Sequence, residues 1–267
     1  MVEIIIAALV AALVVGIVGI ILGFFLGVSG EKFKVEVDDR EEAILEVLPG
    51  NNCGGCGYAG CSALAAAIVK GEAGCNQCPV GGAPVAKLVS GIMGEDTSDV
   101  VKKVAFVKCS GDLSKAKQDY IYNGVMDCRA MQYVPNHGPW SCESSCFGFG
   151  SCAKACPFHA ITVSNGLASV DKEVCKACGK CVAVCPQHLI ELIPYDASTV
   201  VRCSNKHKGK EVISVCSAGC IACHLCEKTC QHDAIHVKDN IAYIDQSKCT
   251  GCGECQEKCP KKVIVLH

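Results

Sequence analysis

Two stretches of this chain share one spacing, Cys175-x2-Cys178-x2-Cys181-x3-Cys185-Pro186 and Cys249-x2-Cys252-x2-Cys255-x3-Cys259-Pro260, and it limits the fold more than any other feature. In such a run three thiolates grip three corners of an iron–sulfur cube. The fourth is carried off by the next turn to a neighbouring cube, so two runs interlock in one small fold. The stretches belong to a longer duplication, in which Cys152 to Pro186 repeats without a gap as Cys226 to Pro260, an offset of 74 residues (152 to 226). Each copy reads as a short hairpin, Ile161 to Val170 or Ile235 to Ile244, set between two cysteine loops that each lead into a turn of helix.

With 25 cysteines in 267 residues, disulfides are the first alternative to weigh. They suit short secreted domains, whereas C-x-x-C runs closed by proline are spaced as thiolate ligands. In the second copy the expected sets are Cys220, Cys223 and Cys226 with Cys259, and Cys249, Cys252 and Cys255 with Cys230. Gln231 stands where proline is expected, which alters the turn but not the sulfur. In the first copy Cys175, Cys178 and Cys181 combine with Cys156. Phe149 occupies the place of Cys223, and Cys142 is the substitute, giving Cys142, Cys146 and Cys152 with Cys185. By the same offset Cys142 corresponds to Cys216, a rival ligand in the second copy. Cys109, Cys128, Cys203 and Cys216 bracket the first copy and are expected to form one further site, against the alternative of four inert buried thiols.

Nearer the N-terminus, Cys53, Cys56, Cys61 and Cys78 form a C-x2-C-x4-C-x16-C group in a glycine-rich loop, followed by a helical run from Ser62 to Lys70. Four thiolates also suit zinc, but the neighbouring runs favour a [4Fe–4S] cluster. Cys75 is left as a spare thiol, and the count closes at six clusters.

Ile4 to Val28 carries no charge and is long enough for one transmembrane helix. A cleaved signal would have a basic start and a shorter apolar stretch. Lys32, Lys34 and Arg40 follow the helix and no Lys or Arg precedes it, which places the large C-terminal part in the cytoplasm. Gly19, Gly23 and Gly27 share one helix face and suggest a helical partner in the bilayer. The expected class is α+β: a transmembrane anchor over 1–30, a small helical 4Fe–4S domain over 31–95, and tandem ferredoxin-like modules over 96–215 and 216–267. Glu31 to Arg40 reads as a charged linker and Gly81 to Asp99 as a connector.

A net charge of −2 gives no reason to expect nucleic acid. Nucleophile elbow, Walker lysine motif and dinucleotide fingerprint are all missing. His159 and His232 sit beside cluster loops but read as surface residues. Lys206, His207, Lys208 and Lys210 could receive an acidic electron carrier, although a solvated loop is the default reading.

The N-terminal helix, the Cys53/Cys56/Cys61/Cys78 group, the Cys142 to Cys156 stretch and the tandem modules together resemble the B subunits of the Rnf complexes over essentially the whole chain. The resemblance implies a membrane complex coupling electron flow between reduced ferredoxin and NAD to Na⁺ or H⁺ transport. This chain would take electrons from soluble ferredoxin and relay them to the other subunits, which would hold the NAD and flavin sites. Cys109, Cys128, Cys203 and Cys216 look like the extra cysteines of anaerobe-type members. A polyferredoxin of another machine, such as a hydrogenase, is the alternative within the class, and a zinc-bound scaffold the alternative outside it.

Overall fold

The computed structural model describes residues 2–32, 38–96 and 100–267, with side chains along the first helix only for Ile6 and residues 13–29. Lys34 and the middle of the expected charged linker lie outside the described residues, as do the last residues of the expected connector. Helix α1 runs Val2–Lys32. Its described apolar side chains, Leu13 to Val28, are exposed, and nothing stands within 4 Å of a Cβ built on Gly19, Gly23 or Gly27. Among the described residues no helix is long and apolar enough to cross a membrane; the apolar side chains of residues 7–12 are not among them.

Three helices form a small domain: α2 (Asp39–Val47), α3 (Cys61–Val69) and α4 (Gly82–Met93). Asp38 caps α2, accepting from the Arg40 backbone N–H at 2.9 Å. Ile44, Leu48, Leu64, Ile68 and Val89 make its core. The connector expected over Gly81 to Asp99 is therefore corrected. Val85, Val89 and Ile92 recur at helical spacing within its Gly/Ala/Ser composition, and Gly94, left-handed at φ 72°, ends the helix.

The first module is bounded by β1 (Lys103–Val107). An insert follows, with a 3₁₀ turn at Cys128–Tyr133, and then α5 (Ser151–Ala155), β2 (Ile161–Ser164), β3 (Leu167–Val170), α6 (Lys180–Val184) and β4 (Ile190–Pro194). The second comprises β5 (Thr199–Val201), α7 (Gly209–Val215), α8 (Leu225–Thr229), β6 (Ile235–Lys238), β7 (Ile241–Ile244), α9 (Glu254–Glu257) and β8 (Ile264–Leu266). Both expected hairpins are present in register, Ile161 opposite Val170 and Ile235 opposite Ile244. Asn165-Gly166 and Asp239-Asn240 turn them, all four residues having positive φ as a tight primed turn requires.

In each module the outer strands pair antiparallel, β1 with β4 and β5 with β8. Residues 199–201, assigned from sequence to the first module, therefore pair with the second. Gln231 leaves the turn intact. Asp233 has φ 51°, as do His159 at 53° and Lys262 at 50° in the turns that have proline.

Candidate metal centres

Every ligand loop of the modules alternates hands. Ala177 and Gly179 around Cys178, and Gly251 and Gly253 around Cys252, all have positive φ. Successive amides in such a stretch turn to one side and form a concavity suited to anionic sulfur. Backbone N–H groups of Ala105, Leu189, Ala234 and Gly111 donate to the sulfurs of Cys175, Cys185, Cys230 and Cys109 at 3.4–3.5 Å.

Among the described residues no group of three or more His, Cys, Asp or Glu closes on a single metal ion. Instead, sets of four thiols line cavities of nearly equal size. Cys230, Cys249, Cys252 and Cys255 surround about 350 Å³ of atom-free space, partly open to solvent. Cys220, Cys223, Cys226 and Cys259 surround about 340 Å³. Both groupings are those expected from spacing.

The other two cavities regroup the expected sets. Cys128, Cys146, Cys152 and Cys185 line one of about 360 Å³. Cys109, Cys142, Cys203 and Cys216 line one of about 340 Å³. Cys128, not Cys142, thus completes the first module's set, and Cys142 joins the extra one. The insert brings Cys128 there: its N–H donates to Ser151 Oγ at 2.9 Å, and that hydroxyl donates to Asp127 Oδ1 at 3.0 Å. Phe149, with no thiol to offer, packs against Tyr122 of the insert, the ring centroids 5.8 Å apart and the planes tilted by 41°.

Two further groups share cores: Cys156, Cys175 and Cys181 in one, and Cys56, Cys61 and Cys78 in the other. Burial, with the charges of Cys175, Cys178 and Cys156, pushes the Cys181 thiol up to about 12. Burial likewise raises Cys78, with smaller contributions from Cys53 and Cys56. Cys75, in the same core, directs its thiol to Glu95 Oε2 at 3.4 Å.

The sets adjoin one another in series. A Cβ built on Gly55 would meet the Cys178 carbonyl oxygen at 2.6 Å, so the N-terminal cysteine loop lies directly on the Cys178 loop. Helices α5 and α6 carry Cys152 and Cys181 inside them, with Cys156 and Cys185 just past their ends, and so join the Cys178 set to the Cys152 set. Cys109 shares a buried core with Cys152 and Cys146 of the Cys152 set, and burial pushes its thiol up to about 12. The N–H of Cys220 donates to Cys203 Sγ at 3.3 Å, linking the Cys109 set to the Cys226 set. Helices α8 and α9 then lead to the Cys252 set.

His159 and His232 are exposed. Within the basic stretch Lys206 pairs with Asp239 at 3.3 Å, and the His207 ring lies 3.1 Å from Glu211 and 3.4 Å from Glu143.

Three family models match parts of the chain: an Fe-S cluster segment over 48–80, an LdpA Fe-S cluster-binding domain over 142–196 and a 4Fe-4S dicluster domain over 219–263. The B subunit of the Na(+)-translocating ferredoxin:NAD(+) oxidoreductase complex of Acetobacterium woodii is 44% identical over 89% of this chain and 71% of its own length. The B subunit of the ion-translocating oxidoreductase complex of Methanosarcina acetivorans is 39% identical over 90% and 91%. That of the proton-translocating ferredoxin:NAD(+) oxidoreductase complex of Clostridium ljungdahlii is 40% identical over 88% and 84%. The chain belongs to this B-subunit family.

For a chain of this family the thiol sets fit iron–sulfur clusters. Four cysteines line each of the four cavities, and backbone amides are aimed at sulfur. One side chain joins them. Asn205, buried, accepts from the His207 N–H at 2.8 Å, which turns its NH2 toward Cys142 Sγ at 3.3 Å. A donor to sulfur stabilises the more negative, reduced state. Asn205→Leu is therefore expected to lower the midpoint potential of the Cys109 centre alone, as read by an EPR-monitored redox titration.

Proposed function

We propose that this chain is the iron–sulfur electron-transfer component of an ion-translocating ferredoxin:NAD oxidoreductase, with six [4Fe–4S] centres held by the six thiol sets. The reading is carried by one observation: the sets adjoin in series from the Cys53 loop to the Cys252 loop, through the Gly55–Cys178 contact, helices α5 and α6, the core shared by Cys109 and Cys146, the Cys220–Cys203 bond and helices α8 and α9. Each centre, when bound, takes up and releases one electron without making or breaking a bond. The chain's own residues hold the sulfurs, donate N–H groups to them and exclude water with Leu189, Ile190, Ile235 and Ile264.

α1 is the membrane anchor in this reading. The run Ile4 to Val28 has the length and polarity of one span, with the modules on the cytoplasmic side by the basic residues that follow it. The Cys53 site is then nearest the bilayer and passes electrons to membrane subunits toward NAD, with Na⁺ or H⁺ transport performed by the assembly. Electrons come from reduced ferredoxin through the modules.

Isolating the complex anaerobically through a tag on this chain tests the reading. Ferredoxin-dependent NAD reduction is expected, and is expected to vanish on replacing Cys53 or Cys226. A fully loaded complex inert toward ferredoxin and NAD would assign the chain to another redox machine.

A further inference from the structure

The two modules are copies, yet their cysteine loops are not equally covered. In the first, Cys178 and its neighbour Ala177 are buried, with the backbone of Gly55 lying against Cys178. Of the residues 74 positions on, Gly251 packs only against the Ser198 side chain and Cys252 is open to solvent; of the 25 cysteines only Cys223 and Cys252 are exposed. The cysteine that receives a cluster-bearing domain in the first module thus has an equivalent at the far end of the series, Cys252, that is open to solvent.

We infer that the Cys252 loop is the docking face for the external electron carrier, a small iron–sulfur protein that lays a glycine-containing cluster loop against residues 250–253 as the Gly54-Gly55 loop lies against Cys178. The occupant follows from the repeat. The backbone geometry of the two loops is the same, Ala177 at 52° and Gly179 at 76° matching Gly251 at 73° and Gly253 at 79°. What binds one such loop edge-on, leaving no room for a Cβ, is known from the first module to be another cluster loop.

Cys223 is exposed too, but its counterpart in the first module is Phe149, packed under the insert rather than under a cluster domain. At the Cys252 face one electron leaves the carrier, which is oxidised by one, and the Cys252 centre is reduced by one, with no proton taken up. This inference rests on the ferredoxin reading above and adds the place of contact.

The test uses the intact complex and a purified two-[4Fe–4S] ferredoxin as probe. Thr250→Trp places an indole on the exposed loop, and His232→Trp does so from another exposed residue lining the same cavity. Either is expected to raise the ferredoxin Kd about tenfold, with iron content and direct reduction by dithionite unchanged. Leu225→Trp, beside Cys223, is expected to leave that Kd alone.

An unchanged Kd in both variants with iron retained overturns the inference, as does a rise with Leu225→Trp instead. Loss of complex assembly with ferredoxin affinity intact would give the face to a neighbour within the complex and overturn it equally. Failure of the unaltered, loaded complex to bind ferredoxin at all would instead bring down the functional reading on which it rests.

Discussion

Gly55→Val is expected to cut electron delivery to the membrane subunits by roughly ten- to a hundredfold while the chain keeps its iron. Its Cβ would stand 2.6 Å from the Cys178 carbonyl oxygen and 3.0 Å from its Cα, backbone atoms that cannot swing aside. Overpacking of this kind costs about 1–3 kcal/mol, and each 1.4 kcal/mol is a factor of about ten in docked population. Gly55, unlike Gly54 at φ 72°, lies outside the positive-φ region, so a side chain there strains nothing within its own loop. Stopped-flow reduction followed at the Cys53 centre, beside an iron assay, checks this. Unimpaired transfer with the variant would mean that the Cys53 and Cys178 loops need not touch for electrons to pass.

The regrouping of Cys128 and Cys142 gives the second large effect, read by iron content in paired variants. Cys128→Ala and Cys152→Ala are each expected to lose about four irons per chain, and together still about four, because one site holds both. Cys142→Ala with Cys152→Ala is expected to lose about eight, since two sites are broken. The reverse pattern, eight for the Cys128 pair and four for the Cys142 pair, would restore the grouping read from spacing alone.

That grouping shows where the sequence was legible and where it was not. Local spacing was sufficient for the second module, because Cys220, Cys223 and Cys226 lie on one short loop and the turn after α9 brings Cys259 back. The hairpins were legible for the same reason: period-two apolar patterning and a two-residue turn are local properties.

Cys128 was not legible, because it reaches its set through the insert, held by Ser151 and Asp127, and no spacing rule describes such a return. A signal was nonetheless present. Cys142 and Cys216 are equivalent by the 74-residue offset, and equivalents should share a fate. Cys216 was not needed in its own module, so Cys142 was not needed in its own either. Helix α4 was hidden by composition, its glycines and alanines masking a buried stripe at Ala86 and Val89.

The Cys109 set has a consequence for how the chain is made. Its four sulfurs come half from before α5 and half from after β5, so it cannot be completed until Cys216 has left the ribosome. The last cysteine of each set emerges in the order 78, 181, 185, 216, 255, 259, which follows the spatial series from its N-terminal end until the final two. Synthesis therefore lays the conductor down almost link by link. A nascent chain halted just before residue 216 would leave one finished module and three of the four sulfurs of the seam that joins it to the next.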